Sequence, residues 1–179
     1  CIKYVGAKPV FAEVNPETYN LDITDAEQKI TSKTKAILLV HQIGMPADID
    51  AFQLLAAKYN LKLIEDAACA AGSSYKGKKI GSHSELVCFS FFFRKVISTG
   101  DGGFVTTNRE DYYQRLKLLR QHGMSVNDRV RHESSKIIFE DHVELGYNYR
   151  LTDIQAAVGI KQLEILDWII SERRIIANK

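Results

Sequence analysis

Short apolar runs alternate along the chain with segments whose apolar residues recur at helical spacing. The runs are rich in Val, Ile, Leu and Phe, a composition typical of buried strands in a parallel sheet. They cover residues 9–14, 36–41, 62–66, 86–93 and 104–107. Because strands that alternate with helices along a chain build α/β domains, we expect a mostly parallel sheet flanked by helices.

Polar residues predict where two of the helices begin. Thr24 with Glu27, and Thr152 with Gln155, have the spacing of a capping box. In this motif each side chain satisfies a backbone N–H group at the helix start. The apolar residues after the second capping box predict which side of that helix faces inward, namely Ile154, Ala157, Val158 and Ile165.

Two further helices and one long irregular segment complete the predicted organisation. Residues 51–59 form an amphipathic pattern that ends at Asn60, and residues 112–122 form another that ends at Gly123. No sustained period follows over residues 125–150, and loops of that length are usually functional or ordered by a partner. We therefore expect three parts, which are a cofactor-binding core over residues 1–124, an irregular interface and active-site segment over 125–150, and a helical segment over 151–179.

Composition narrows the class of protein. The 24 basic and 22 acidic residues are spread along the chain and leave a net charge of +2, so no basic stripe predicts a nucleic acid or an anionic membrane as partner. The longest apolar stretch is too short to span a bilayer. The three cysteines lack the spacing of a zinc site or a disulfide framework, which favours a reducing, cytoplasmic setting. The start at Cys1 and the helical pattern at the other end indicate part of a larger protein.

Polar residues that follow three of the apolar runs are candidates for a ligand site, because ligands of open α/β sheets bind outside the carboxyl ends of the strands. These residues are His41, Asp66 and Lys95. A lysine amine can form a Schiff base with an aldehyde, and a carboxylate can keep a pyridine nitrogen protonated so that the ring accepts electrons. Asp66 and Lys95 together meet the requirements of pyridoxal phosphate.

Each candidate also has a simpler interpretation. Asp66 could be the N-cap of a following helix, and Lys95 could be a solvated surface lysine. Ser90 interrupts an apolar strand, and its hydroxyl could bind either the backbone or a ligand phosphate. His41 could bind a ligand, or its hydrogen bonds could be satisfied within the fold. Residues 99–103 are glycine-rich but lack the spacing of a P-loop, so we expect a tight turn into a strand.

Together these motifs resemble the DegT/DnrJ/StrS family of sugar-nucleotide aminotransferases, which depend on pyridoxal phosphate and have fold type I. The match runs along nearly the whole chain, and the landmarks occur in the order that the family shows. They are residues 4–11 (YVGAKPVF), 40–44 (VHQIG), 64–68 (IEDAA), 89–91 (FSF), 94–95 (RK), 99–103 (TGDGG), 146–150 (GYNYR) and 152–157 (TDIQAA).

The resemblance implies a role for each of four residues. Lys95 would hold pyridoxal 5'-phosphate as a Schiff base, Asp66 would bind its pyridine nitrogen, and Ser90 would bind its phosphate. Asn148 would reach the phosphate of the neighbouring subunit, which implies a homodimer with shared active sites. The implied reaction transfers an amino group from an amino acid, usually glutamate, to a keto sugar nucleotide.

The chain departs from the family pattern at three points. Cys69 stands where the family usually has a glutamine that hydrogen-bonds the cofactor's ring oxygen, and Ala71 stands where a histidine is common. A thiol is a weak substitute for an amide in that contact. Residues 92–93 are both Phe, where the family usually has His-Pro or Tyr-Pro. Family members also continue well beyond both ends of this chain.

Single sequence features argue against two other functions, and a third alternative stays open. A sugar dehydratase of the same family would carry histidine in place of Lys95. A nicotinamide-binding domain would need a Gly-x-Gly-x-x-Gly turn after the first strand, and the sequence has none. A non-catalytic or truncated descendant of the family stays open as an alternative, because the resemblance places part of the phosphate cradle outside this chain.

Overall fold

A computed structural model describes residues 1–126, 130 and 133–179, and it contains a four-stranded sheet. The first two pairings in the sheet are parallel and the last is antiparallel, so the expected mostly parallel sheet is confirmed. A short antiparallel hairpin lies between the second and third strands of this sheet along the chain. The strands are β1 (Ala36–Val40), β2 (Lys62–Asp66), β3 (Ser74–Tyr75), β4 (Lys78–Lys79), β5 (Leu86–Ser90) and β6 (Gly103–Thr106), and the sheet order is β1-β2-β5-β6.

Five α-helices connect or follow these strands in the described part of the chain. They are α1 (Ile23–Gln28), α2 (Ile49–Lys58), α3 (Glu110–Leu119), α4 (Asp153–Glu164) and α5 (Leu166–Ala177). Asn60, the expected terminator after α2, has the left-handed φ of 52° that such a position requires. Among the described residues no helix is both long enough and apolar enough to cross a membrane.

The core lies between one face of the sheet and α2. Helix α2 begins at the N-cap Asp48, whose side chain accepts a hydrogen bond from the backbone N–H of Ala51 at 3.3 Å. Its inward stripe has the spacing of an amphipathic helix and packs on alternate residues of the strands. The buried residues of this core include Ile37, Leu39, Ile49, Phe52, Leu55, Ala56, Val87 and Phe89.

Two of the predicted strands differ from the observed ones. Of residues 9–14, only Val14 pairs, in an isolated bridge to Leu21, and the side chain of Phe11 is 87% exposed. An apolar run forms a strand only where a neighbouring strand supplies hydrogen bonds, and in the described part of the chain a neighbouring segment supplies them at the end of the run alone, where the Glu13 carbonyl accepts from the N–H of Asp22. The run over residues 86–93 stops at Ser90, because the Ser90 hydroxyl accepts a hydrogen bond from the backbone N–H of Phe92 and the chain turns.

One capping box is confirmed and the other is wrong. Thr152 and Gln155 exchange both hydrogen bonds of the motif at the start of α4. Helix α1 is capped instead by Asp22, whose side chain accepts from the backbone N–H of Asp25 at 2.8 Å. Asp22 precedes Thr24 by two residues, so the helix begins before Thr24 can act as its cap.

The predicted inward face of α4 is also wrong. Ile154 is 80% exposed, and Ala157, Val158 and Ile165 are exposed as well. Gly159 is the buried residue of this helix, and an added Cβ there would lie 3.2 Å from a methyl group of Thr99. The small residue therefore lets α4 approach the loop before β6 closely on the side of the helix that is buried.

The irregular segment predicted over residues 125–150 is only partly described, because residues 127–129 and 131–132 lie outside the described part. Its described residues include Asn148, which forms a bridge with Gln121, and His142, which forms one with Met124. The segment is therefore paired with the chain that follows α3.

Candidate active site

Asp66 ends β2 and begins a tight turn at the carboxyl edge of the sheet. One of its carboxylate oxygens accepts a hydrogen bond from the backbone N–H of Ala68 at 3.0 Å. The turn is closed by a bond of 2.9 Å from the N–H of Ala70 to the carbonyl of Ala67, and both alanines are fully buried. No helix begins there, so the N-cap interpretation is wrong, although Asp66 does bind its own turn. The side chain is half-buried.

Lys95 lies on a second turn, beyond the end of the neighbouring strand β5. The N–H of Lys95 donates to the carbonyl of Phe92 at 2.9 Å, and the N–H of Phe91 donates to the carbonyl of Gly102 in the chain that enters β6. Phe91 and Ile97, which flank the turn, are buried. Lys95 is half-buried on a turn that is anchored on both sides, so it is not the freely solvated lysine of the simpler interpretation.

Cys69 connects the two turns. The Lys95 Nζ donates a hydrogen bond to the Cys69 Sγ over 3.1 Å. Asp66 and Ser90 lie on the strand ends that carry these turns, and β2 and β5 are adjacent in the sheet. The structure thus brings Asp66, Cys69, Ser90 and Lys95 to one edge of the sheet, as expected for the carboxyl ends of neighbouring strands.

His41 does not join this group. Its ring is fully buried, and its Nδ1 accepts a hydrogen bond from the backbone N–H of Ala47 at 3.1 Å. Because an N–H group can only donate, the ring proton lies on Nε2 and is donated to the Glu65 carboxylate at 2.8 Å. The simpler interpretation of His41, a histidine satisfied within the fold, therefore holds.

Sequence reasoning missed the loop that supports Cys69. Ile43 and Gly44, which follow β1, both have positive φ angles, 57° and 90°. A Cβ at Gly44 would lie 2.8 Å from the carbonyl oxygen of Cys69, so only glycine fits there. The Ser73 hydroxyl donates to the Gly44 carbonyl at 2.7 Å. The signal in the sequence is the glycine three residues after His41, which has no role in a strand.

Cys88 lies beside Asp66 on the same face of the sheet, since the two residues are partners in the parallel register of β2 and β5. Burial of the thiol, and in second place the negative charge of Asp66, raise the pKa of Cys88 above its ordinary value. The described residues contain no group of three or more His, Cys, Asp or Glu side chains that could hold a metal ion.

Asn148 has a separate setting. Its backbone pairs with Gln121, and its side-chain oxygen accepts a hydrogen bond from the Arg150 Nε at 3.0 Å. The rings of Tyr147 and Tyr149, on either side of it, stack with their centroids 4.9 Å apart. Within the part of the chain that the structure describes, no hydrogen bond joins Asn148 to Asp66, Ser90 or Lys95.

Solved structures that match this fold include sugar aminotransferases. Helicobacter pylori PseC, an aminotransferase involved in the biosynthesis of pseudoaminic acid, matches with a TM-score of 0.85 and 33% identity, over 93% of this chain and 43% of its own. The fold is the α/β architecture of the fold-type-I aminotransferases.

Curated relatives match nearly the whole chain. GDP-perosamine synthase of Escherichia coli O157:H7 is 44% identical over 177 residues, which are 99% of this chain and 46% of the relative. An uncharacterised protein of Methanocaldococcus jannaschii is also 44% identical over 177 residues, with the same two shares. The chain thus spans about half the length of the curated relatives it matches. The model of the DegT/DnrJ/EryC1/StrS aminotransferase family matches residues 1–179, and the chain belongs to that family.

Proposed function

We propose that this protein transfers an amino group from an amino acid, glutamate in the first instance, to a keto sugar carried on a nucleotide. The observation that carries the proposal is the lysine amine of Lys95 beside the turn of Asp66, at the carboxyl ends of two adjacent strands. Two relatives, a GDP-perosamine synthase and an aminotransferase involved in the biosynthesis of pseudoaminic acid, support the choice of a sugar substrate.

The residues present fit pyridoxal 5'-phosphate as the cofactor. Its aldehyde needs an amine, and the amine of Lys95 is held at the sheet edge by a contact with a thiol. Its pyridine nitrogen needs a carboxylate, and among the described residues the Asp66 carboxylate is engaged through one oxygen, by the N–H of Ala68. Its phosphate needs donors, and the Ser90 hydroxyl accepts from the N–H of Phe92, which leaves its own hydrogen available to donate.

Each of these residues has a defined task in the proposed reaction. When bound, the cofactor supplies an electron sink for the carbanion of the amino donor. Lys95 would hold the cofactor through its aldehyde and, when its amine is free, would move the proton at the α-carbon of the donor as general base and acid. Asp66 would keep the pyridine nitrogen protonated, Ser90 would orient the phosphate, and Cys69 would be a weak substitute for the amide that usually contacts the ring oxygen.

The remaining parts of the proposal concern the whole protein. We infer a homodimer with shared active sites, in which Asn148 reaches the phosphate bound by the neighbouring subunit. Residues 1–124 form the cofactor-binding core, residues 125–150 the interface and active-site segment, and residues 151–179 the helical segment that leads to further chain. The protein works in the cytoplasm.

Cofactor binding by Lys95 tests the proposal directly. The protein expressed from its whole gene is mixed with pyridoxal phosphate, its visible spectrum is recorded, and borohydride reduction is followed by peptide mass mapping. We expect a reduced adduct on Lys95, its loss in Lys95→Ala, and its retention in the matched variant Lys117→Ala, which removes a lysine of α3. A folded protein without any adduct would support the alternative of a non-catalytic descendant.

A further inference from the structure

The contact between Cys69 and Lys95 joins two nucleophiles that are both held in place. Cys69 lies on a turn that Asp66 binds through the N–H of Ala68, and Gly44 packs against its carbonyl oxygen. Lys95 lies on the turn that its own N–H closes to the carbonyl of Phe92. Because both backbones are fixed by bonds and buried neighbours, the sulfur and the nitrogen lie 3.1 Å apart without further ordering of the chain.

Access to the sulfur is open. Cys69 is exposed, whereas Cys88 is half-buried on the sheet. A small oxidant can therefore reach the Cys69 thiol from solvent, and the Lys95 amine lies beside that thiol. Susceptibility of a thiol to oxidation depends on its exposure and its surroundings. We therefore expect the more exposed Cys69 to be oxidised before Cys88.

We propose that Cys69 and Lys95 form an oxidation site, in which a hydroperoxide joins the two side chains through a sulfur–nitrogen bond. The site itself depends only on the observed contact. Its consequence rests on the proposed function, because an amine bound to sulfur cannot react with the aldehyde of pyridoxal phosphate, so the oxidised protein cannot take up the cofactor.

The chemistry proceeds in two balanced steps. The thiol of Cys69 reacts with a hydroperoxide ROOH to give a sulfenic acid and the alcohol ROH, so that the sulfur loses two electrons and the O–O bond is reduced. The lone pair of the Lys95 amine then attacks the sulfur, so that the S–N bond forms as the S–O bond breaks, and the hydroxide leaves with one amine proton as water. Two equivalents of an external thiol break the sulfur–nitrogen bond. They restore the Cys69 thiol and the Lys95 amine and are themselves oxidised to a disulfide.

Peptide mapping provides the test. The cofactor-free protein expressed from its whole gene is treated with a small excess of hydrogen peroxide, quenched with catalase and digested with trypsin without reductant. We expect residues 63–76, which contain Cys69, to be joined to residues 95–109, with a mass lower than the sum of the two peptides by two hydrogens, about 2 Da. Dithiothreitol should separate them.

Matched variants assign the bond. Cys69→Ser should abolish the joined peptide, and Cys88→Ser should retain it, because Cys88 lies on the separate peptide 80–94. A protein in which Cys69 is oxidised to sulfinic acid with no joined peptide would overturn the proposal. So would a disulfide between peptides 63–76 and 80–94 in place of the sulfur–nitrogen bond.

A second readout separates this inference from the proposed function. If the site and the function both hold, peroxide should abolish pyridoxal phosphate uptake equally in the wild type and in Cys88→Ser, and dithiothreitol should restore uptake as the joined peptide disappears. If Lys95 never takes up the cofactor but the joined peptide forms, the oxidation site stands and the proposed function fails. If uptake occurs and peroxide yields no joined peptide, the function stands and the oxidation site fails.

Discussion

Glu65 and Asp66 are adjacent in β2 but have opposite surroundings. Successive side chains of a strand point to opposite faces of the sheet, so Glu65 is fully buried with His41 while Asp66 is half-buried at the proposed cofactor site. Both are carboxylates, so in the sequence only the alternation of side chains between the two faces of the sheet distinguishes them. Adjacent residues of the strand therefore place one acid in the core and the other at the proposed cofactor site.

The reactivity of Cys88 reports on this side of the sheet. Burial and the charge of Asp66 raise the pKa of Cys88, so at pH 8 a smaller fraction of this thiol is ionised than of a solvated thiol. We expect iodoacetamide to alkylate Cys88 at least about tenfold more slowly than the exposed Cys1, as measured by mass spectrometry over time.

Asp66→Asn separates the two causes. It should speed the alkylation of Cys88 but leave it slower than that of Cys1, since burial is the larger cause. Equal rates for the two cysteines in the folded wild type would contradict this prediction, and equal rates in denaturant are the required control.

Helix boundaries show how local signals work at the scale of the element. The capping box of Thr152 and Gln155 defines the start of α4, because both of its hydrogen bonds lie within four residues and need no distant partner. The cap of α1 was harder to predict, since Asp22 and Thr24 are both good caps. The choice depends on Asp25, whose backbone N–H donates to the Asp22 carboxylate and whose own carboxylate accepts from the distant N–H of Glu13 at 2.7 Å.

Removal of the cap of α4 should lower stability by a measurable amount. Thr152→Ala leaves backbone N–H groups at the helix start without a partner, and we expect the free energy of unfolding in urea to fall by about 1 kcal/mol. Thr152→Ser, which keeps the hydroxyl, should stay close to the wild type. A loss of the same size in both variants would mean that the threonine methyl, and not the cap, stabilises the helix.

At the scale of the whole molecule, the two faces of the sheet are unlike. The face on α2 carries fully buried Leu39 and Val87, while Leu38 and Val105 of the other face are 37% and 38% exposed. The runs around Leu39 and Val87 are apolar on both faces, so they identified the strands but did not tell the faces apart. The two faces differ because α2 packs against one of them.

Two substitutions on α2 should change the free energy of unfolding by different amounts, because one residue lies in the core and the other at the surface. Phe52 is 1% exposed, and Phe52→Ala should lower the free energy of unfolding by about 4 kcal/mol through lost burial and the cavity left behind. Leu54, two residues along the same helix, is 73% exposed, and Leu54→Ala should change it by less than about 0.5 kcal/mol. Similar losses in urea denaturation would show that α2 does not pack as described.

The sequence by itself determined what depends on neighbours along the chain. The strands Ala36–Val40 and Lys62–Asp66 and the cap of α4 were predictable because apolar runs and capping spacings act over a few residues. It also placed Asp66 and Lys95 at the carboxyl edge, since parallel strands share that edge.

Only the tertiary structure decided what depends on residues that are far apart in sequence. His41 turned away from the site because Glu65, 24 residues later, lies within hydrogen-bond distance. Residues 9–14 formed no strand, and α4 faced inward at Gly159 instead of Ile154. The contact of Cys69 with Lys95, across 26 residues, arose because two turns on adjacent strands bring the thiol and the amine together. Such pairings are set by packing across the fold, which no local pattern records.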